Sequence, residues 1–535
     1  MGTVARRLLA AAILHLALIQ PNHPGALTWG ALTLVPLELP VLTLGLAALG
    51  ERGRGRRALR WGLGSLLAAI ITLKFADLGT TIAFGRMFDP LTDMQLVPAG
   101  LRLLHGIAGP WITLGLLAGL GLALMGTLAA LVWALGVWAA LGLAPRGRWI
   151  AGLVAANFAM LAISETGLHL GAWRGINPPG SAFTTRVAAE HVRDLARSRA
   201  AFADFAQAAR RDPYAGRDDL FDRLGTRDLI VIFVESYGRA SFDNALYAPT
   251  HMGSLREAEG KLRRAGLASL SGWLVSPVEG GQSWLAHATL ASGLRISDQR
   301  RYGALLASPR RTLWHLGAAS GRHPAAVEPA IVLPWPEGGK LGFRTQLNAA
   351  KLGYEGPPFN WVTMPDQYVL SAFRDRIGPQ HEPLFVEIAL ISSHAPWTPV
   401  PRLVPWTEVG DGRIFADQAS AGPSPEEVWA DEARVRDQYR RSLDYSLRTV
   451  MDWAALAPDP RPLLLVLGDH PPAGFVSGIE GSDVPMHLIG PPDLIAAFKG
   501  WGWTPGLVPA GDVAPWPMEE VRDHLVEALT TSGPR

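Results

Sequence analysis

The sequence predicts an α-helical membrane domain of about five transmembrane helices, followed by an α/β domain with a mostly parallel central sheet. Apolar residues crowd the first third as near-continuous runs and later return as short bursts between charged loops. The later bursts lack the strict alternation of a half-exposed strand, which is the texture of strands covered on both faces. Three of them end in side chains that can bind a metal or carry a proton. Composition divides the 535 residues into a transmembrane domain at 1–166, a linker with a connecting helix at 167–227 and a soluble domain at 228–535.

The overall balance narrows the function classes. The 49 Lys and Arg against 47 Asp and Glu leave a formal net charge of +2. That excludes a strongly basic nucleic-acid binder and an acidic disordered tail, so no nucleic-acid partner is expected. The chain has no cysteine. Disulfide scaffolds, Cys-ligated zinc, iron–sulfur clusters and a Cys nucleophile are therefore excluded.

A span takes about 20 apolar residues, because the hydrocarbon core is roughly 30 Å thick and a helix rises about 1.5 Å per residue. The first candidate starts at Leu8 behind Arg6 and Arg7. It has the length of a signal peptide, but no A-x-A site follows and further spans do, so a retained span is expected. The others fall at about 26–49, 61–78, 110–143 and 149–163. Basic clusters at Arg6-Arg7, after Glu51 and at Arg146 and Arg148 all lie on one side if the N-terminus is cytoplasmic. Five spans then place everything after Ser164 on the periplasmic or extracellular side of the cytoplasmic membrane.

Polar residues within the spans are few. Lys74 and Asp77 lie one turn apart near the outer end of the third span, placed to snorkel, to pair locally or to meet a lipid headgroup. Glu38, between Pro36 and Pro40, is expected on a kinked helix with its carboxylate facing protein. The mixed segment from Gly85 to Gly106 reads as an interfacial helix.

Asn177-Pro178-Pro179-Gly180 breaks structure, and a helical pattern follows at 186–211. After Asp228 come the apolar runs LIVIFV from Leu229, LFVEIALI from Leu384, LLLVL from Leu463 and MHLI from Met486, with a helical pattern at 438–456. Open α/β sheets bind ligands beyond the carboxyl ends of their strands. The first run ends at Glu235, the second at Ser392-Ser393-His394, the third at Gly468-Asp469-His470. Singly, each is an ordinary cap or structural group. Together, at one sheet edge, they point to a shared site. Glu279-Gly280-Gly281-Gln282-Ser283 reads as a glycine-rich loop feeding a short helix. Ser283 is then either an N-cap or a hydroxyl facing a phosphate or sulfate at the helix N-terminus.

In order along the chain, VESYG, GGQSWLAH, WVTMPDQ, SSHAPW and GDHPP resemble the alkaline phosphatase/sulfatase superfamily. The likeness is to its lipoteichoic acid synthase-like, or phosphoglycerol transferase, branch. That branch has five spans and an extracytoplasmic sulfatase-like domain. The resemblance implies one divalent metal ion, Mn2+ first with Mg2+ or Zn2+ as alternatives, held by Glu235, Ser283, Asp469 and His470. Ser283 takes the place of the family's threonine nucleophile. His394 resembles the histidine that serves the substrate phosphate or leaving group. Trp361, Asp366 and His287 fall in segments that resemble headgroup-binding stretches. The implied reaction moves a phospholipid headgroup, from a phosphatidylglycerol-like donor in the membrane, to a glycan acceptor through a phospho-serine.

Departures from the family pattern shape the alternatives. No C/S-x-P-S-R pattern is present, so formylglycine chemistry is not expected. Phosphoethanolamine transferases share the layout but carry disulfides and a threonine. A phosphodiesterase or sulfatase-like hydrolase differs only in using water as acceptor. A non-catalytic scaffold is disfavoured by the complete set of metal-site residue types. A transporter is disfavoured because only Glu38, Lys74 and Asp77 are polar within spans.

Overall fold

The computed structural model describes residues 2–50, 53–176, 178–378 and 380–531. Glu51 and Arg52, which open the second basic loop, and Asn177 of the Pro-Pro-Gly break lie outside the described residues. The chain forms two compact units, Met1–Phe202 and Ala203–Arg535.

The first unit is helical, with α1 (Thr3–Ile19), α2 (Glu38–Leu49), α3 (Arg54–Phe84), α4 (Val97–Ala139), α5 (Pro145–His169) and α6 (Phe183–Ala209), which runs on into the second unit. Among the described residues, three helices are long and apolar enough to cross a membrane: Arg54–Phe84, Gly109–Ala139 and Pro145–His169. The expected five therefore reduce to three that meet the length criterion. α1, at 17 residues, spans about 26 Å at 1.5 Å per residue, short of a hydrocarbon core of about 30 Å. The second candidate breaks into short turns at Pro24–Ala26 and Trp29–Thr33, and only Glu38–Leu49 is α-helical. Proline disfavours helix in the residue before it, and Pro36 stands just ahead of that start. α4 is broken at Gly109, whose φ of 79° leaves the helical region before Pro110. Proline at the first turn of the new segment is well placed, because its missing N–H has no partner there anyway.

Leu14 and Leu18 of α1, Leu46 of α2, Leu67 of α3 and Leu131 and Leu135 of α4 form one apolar cluster. Glu38, Lys74 and Asp77 are each paired inside this unit. Glu38 Oε1 accepts from the backbone N–H groups of Thr184 and Thr185, both at 2.9 Å. These are N–H groups of the first turn of α6, left free at a helix start and favourable to an anion. Lys74 Nζ donates to Leu18 O at 2.9 Å and to Thr184 Oγ1 at 3.1 Å. Asp77 accepts from Phe88 N at 3.1 Å and lies 3.0 Å from His191 Nε2. Of the readings open to Lys74 and Asp77, the structure shows local pairing. The segment after Gly85 holds a short turn, Asp93–Leu96, leading into α4.

The second unit is built on one sheet: β1 (Leu229–Val234), β2 (Ala268–Val275), β3 (His323–Glu328), β4 (Thr345–Asn348), β5 (Leu384–Leu390), β6 (Leu463–Gly468), β7 (Asp483–Gly490), β8 (Thr504–Pro505) and β9 (Trp516–Pro517). The order is β4-β3-β5-β1-β6-β7-β2-β8, with β9 beside β2. The five strands from β4 to β6 are mutually parallel, whereas β7 runs antiparallel to both β6 and β2. The run MHLI thus belongs to a reversed strand, and the sheet as a whole is mostly parallel. Ile230, Ile232 and Val234 enter one core and Leu229, Val231 and Phe233 the other. Both faces are covered, so period-2 alternation is invisible in the sequence. Each of these buried side chains contributes about 1.5–3 kcal/mol relative to an exposed one.

Candidate active site

Register brings the strand ends together. Val234 of β1 lies opposite Leu390 of β5 and Gly468 of β6. Glu235 and Asp469 therefore follow at the same edge, side by side, and His394 arrives four residues past Leu390. Gly468 has no substitute here, since a Cβ on it would stand 1.9 Å from Tyr237 O. The chain after β1 turns sharply at Ser236, a non-glycine residue with a φ of 59°. That turn aims Ser236 N at Asp469 Oδ1, 2.9 Å away, and His470 N donates to the same oxygen at 2.7 Å. Ser236 Oγ donates to Glu235 Oε1 at 2.9 Å. His470 Nδ1 lies 2.9 Å from Pro471 O, which turns Nε2 toward the carboxylates. Nε2 stands 3.3 Å from Glu235 Oε1 and 3.6 Å from Asp469 Oδ2.

Ser283 completes the group. The loop before it carries Gly280, Gly281 and Gln282 at φ of 68°, 147° and 66°. Gly280 N donates to Pro471 O at 3.0 Å, tying this loop to the Asp469-His470 turn. Gln282, not Ser283, is the N-cap of the Ser283–Ser292 helix. The Ser283 hydroxyl is instead turned to the acidic group: Oγ donates to Glu235 Oε2 at 3.2 Å and lies 3.2 Å from His470 Nε2.

Burial alone raises the Glu235 carboxyl, but the neighbouring His470 charge and hydrogen bond outweigh it and hold it well below the usual carboxylate range. Burial and the like charge of Glu235 push Asp469 up to about 6. Burial lowers His470, yet Asp469 and Glu235 win and push it up to about 9. Two buried carboxylates thus draw positive charge to themselves. Glu235, Asp469 and His470 each offer a donor atom, all within 4.8 Å of one another. This donor set, with the Ser283 oxygen beside it, fits a divalent cation.

A cavity of about 540 Å³ opens on the group, lined by Glu235, Ser283, His394 and Asp469 on one side and by Trp284, Tyr302, Trp314 and Trp335 on another. The His394 side chain is exposed, with Nδ1 2.6 Å from Ala395 O. His287 also lines the cavity, stacked on Phe233 with ring centroids 3.9 Å apart. Two residues that resembled headgroup binders are placed elsewhere. Trp361 is 59% exposed and does not line the cavity. Asp366 is 0% exposed. Its Oδ1 accepts from Ile391 N and Ser392 N, both at 2.9 Å, and its Oδ2 from Ser446 Oγ at 2.7 Å. It braces the turn that leads to His394 and is closed off from the cavity by burial.

Two buried carboxyls of the cavity carried no motif in the sequence. Glu387 sits in the middle of β5, 3% exposed, and Glu328 ends β3. Burial and the neighbouring Glu387 carboxylate push the Glu328 carboxyl up to about 8, against the opposing pull of His287. The available signal was the lone charge inside LFVEIALI, since a carboxylate in a strand covered on both faces needs a partner.

No family model and no curated protein sequence matches the chain. Among solved structures, it is similar at low identity to two transferases and a synthase. One is the integral membrane lipooligosaccharide phosphoethanolamine transferase A of Neisseria meningitidis, at 13% identity, covering 98% of this chain and 96% of that one, with a TM-score of 0.49. Another is the phosphoglycerol transferase GacH of Streptococcus pyogenes in complex with sn-glycerol-1-phosphate, at 14% identity, 61% and 91% coverage and a TM-score of 0.36. A third is the lipoteichoic acid synthase LtaP of Listeria monocytogenes, at 11% identity, 51% and 67% coverage and a TM-score of 0.35.

Proposed function

We propose that this chain is a membrane-anchored phosphotransferase that moves a phospholipid headgroup, phosphoglycerol first, to an envelope glycan through a covalent phospho-Ser283. The observation that carries the reading is the Ser283 hydroxyl. It lies at a helix start, 3.2 Å from both Glu235 and His470, facing a cavity rather than capping its helix.

Glu235, Asp469 and His470 would hold one divalent ion, with Mn2+ preferred and Mg2+ or Zn2+ as alternatives. When bound it supplies positive charge that acidifies a neighbouring hydroxyl and offsets a phosphate. Ser283 Oγ attacks phosphorus as its proton leaves toward Glu235 Oε2. The bond from phosphorus to the diacylglycerol oxygen breaks, and His394 gives that oxygen a proton. Free backbone N–H groups at the helix start steady the phosphoryl oxygens. An acceptor hydroxyl then attacks the phosphorus and gives its proton to His394, the bond from phosphorus to Ser283 Oγ breaks, and the serine oxygen recovers its proton from Glu235.

The placement of the site follows from parity. Arg54, Arg56 and Arg57 open α3, and Arg146 and Arg148 open α5. With both clusters cytoplasmic, three spans, or five if α1 and α2 cross as well, leave the second unit on the periplasmic or extracellular side of the cytoplasmic membrane. The spans tether the site to the compartment of its lipid donor and raise the local concentration.

Product analysis with headgroup-labelled lipid tests the reading. The label is expected on glycan in the presence of acceptor, and Ser283→Ala is expected to lose at least about 10³-fold in turnover, as removal of a nucleophile does. Label found only as free phosphoglycerol, whatever glycan is offered, means that water is the acceptor and the protein is a hydrolase.

A further inference from the structure

Residues four apart share a helix face, so His287 lies one turn along from Ser283. The sheet brings two carboxylates to the same place. Ala326 of β3 and Phe385 of β5 enter the core on this face. Glu328 and Glu387 lie two residues further along those strands, hence on the same face. His287 Nδ1 is 3.4 Å from Glu387 Oε1. Each of the three side chains offers a donor atom, and these atoms all lie within 4.8 Å of one another.

A buried ion pair alone does not account for the arrangement. Glu328 is 8% exposed, lines the cavity and leaves Oε1 buried without a hydrogen-bond partner. His287 Nε2 is likewise buried and unpartnered. With one imidazole for two carboxyls held this close, either a carboxyl keeps its proton or a cation takes that proton's place, because buried charge persists only where something pairs it.

We propose that His287, Glu328 and Glu387 form a second divalent-cation site, separate from the Glu235–Asp469–His470 group and opening on the same cavity. Mixed imidazole and carboxylate donors suit Mn2+ or Zn2+. Three protein donors leave further positions for an oxygen ligand from the cavity, as open metal sites do. The proposal does not depend on which headgroup is moved, and bound metal is counted without turnover.

The test uses the full chain, stripped with chelator and equilibrated with Mn2+. Elemental analysis is expected to find two ions per molecule. Glu387→Gln and His287→Asn are each expected to hold one, and Glu235→Gln also one, lost from the other group. Electron paramagnetic resonance of the unaltered chain covers the case in which a variant fails to fold: at saturation the two Mn2+ ions are expected to broaden each other's signal. One ion or none in the unaltered chain, or two that persist in both Glu387→Gln and His287→Asn, overturns the proposal. Two ions bound without lipid turnover supports it and counts against the phosphotransfer reading alone.

Discussion

Single residues at this site are chosen by what they leave unpaired. Asp366 shows the contrast with Ser283. Its motif segment looked like a binding stretch, yet both carboxylate oxygens are spent on Ile391 N, Ser392 N and Ser446 Oγ. Asp366→Ala is therefore expected to cost about 1–3 kcal/mol for each buried group left unpaired, seen as a lower denaturant midpoint. Lost lipid turnover at unchanged stability would return Asp366 to the substrate. Glu235, Asp469, His470 and Ser283 were legible because each follows an apolar run or a glycine-rich loop. Glu328 was not, because the strand it ends reads His-Pro-Ala-Ala-Val-Glu and carries no apolar run to mark it. Trp361 and Asp366 do not line the cavity, because a motif fixes sequence neighbours and not the direction in which a side chain points.

Among the strands, β1, β5, β6 and β7 were readable from their apolar runs, and β2, β3 and β4 were not. β1, β5 and β6 are nearly pure Leu, Ile, Val and Phe. β2 hides behind Ser269, Ser271 and Gly272. Its Ser271 Oγ lies 2.7 Å from His487 Nδ1 on β7, and Tyr237 Oη lies 3.0 Å from Nε2 of the same ring. Buried polar groups are tolerated where they are hydrogen-bonded, so a strand need not look apolar. That packing has a pH consequence. Burial holds His487 down at about 3 and His251 at about 4, both from an ordinary value of 6.5. Between pH 6.5 and about 4 the unfolded chain binds protons that the folded chain refuses, so stability falls as pH falls. Glu328, Asp469 and His470, all raised, act in the opposite sense, so the expected result is relative: the gap between the thermal midpoints at about pH 5 and about pH 7 shifts in His487→Asn toward greater stability in acid than in the unaltered chain. An unchanged gap in that variant would mean that His487 is protonated within the fold. The second span went astray by the opposite route: composition promised a long helix, but backbone chemistry at Pro36 restricts the α-helix to Glu38–Leu49.

For the whole molecule, the division into an apolar helical unit and a sheet-based unit follows from composition alone. The number of spans does not, yet the side assigned to the second unit is the same for three spans as for five. In the proposed function, a nucleophile on that side would meet phospholipid headgroups and surface glycans, and with no cysteine in the chain no disulfide need form there. The account stands or falls on a covalent intermediate in the intact, membrane-embedded chain. Incubating it with a phospholipid donor, without acceptor, and mapping its peptides by mass spectrometry should find the headgroup phosphate on Ser283, and no adduct in Ser283→Ala. An adduct on any other residue, or full turnover by Ser283→Ala, would contradict it.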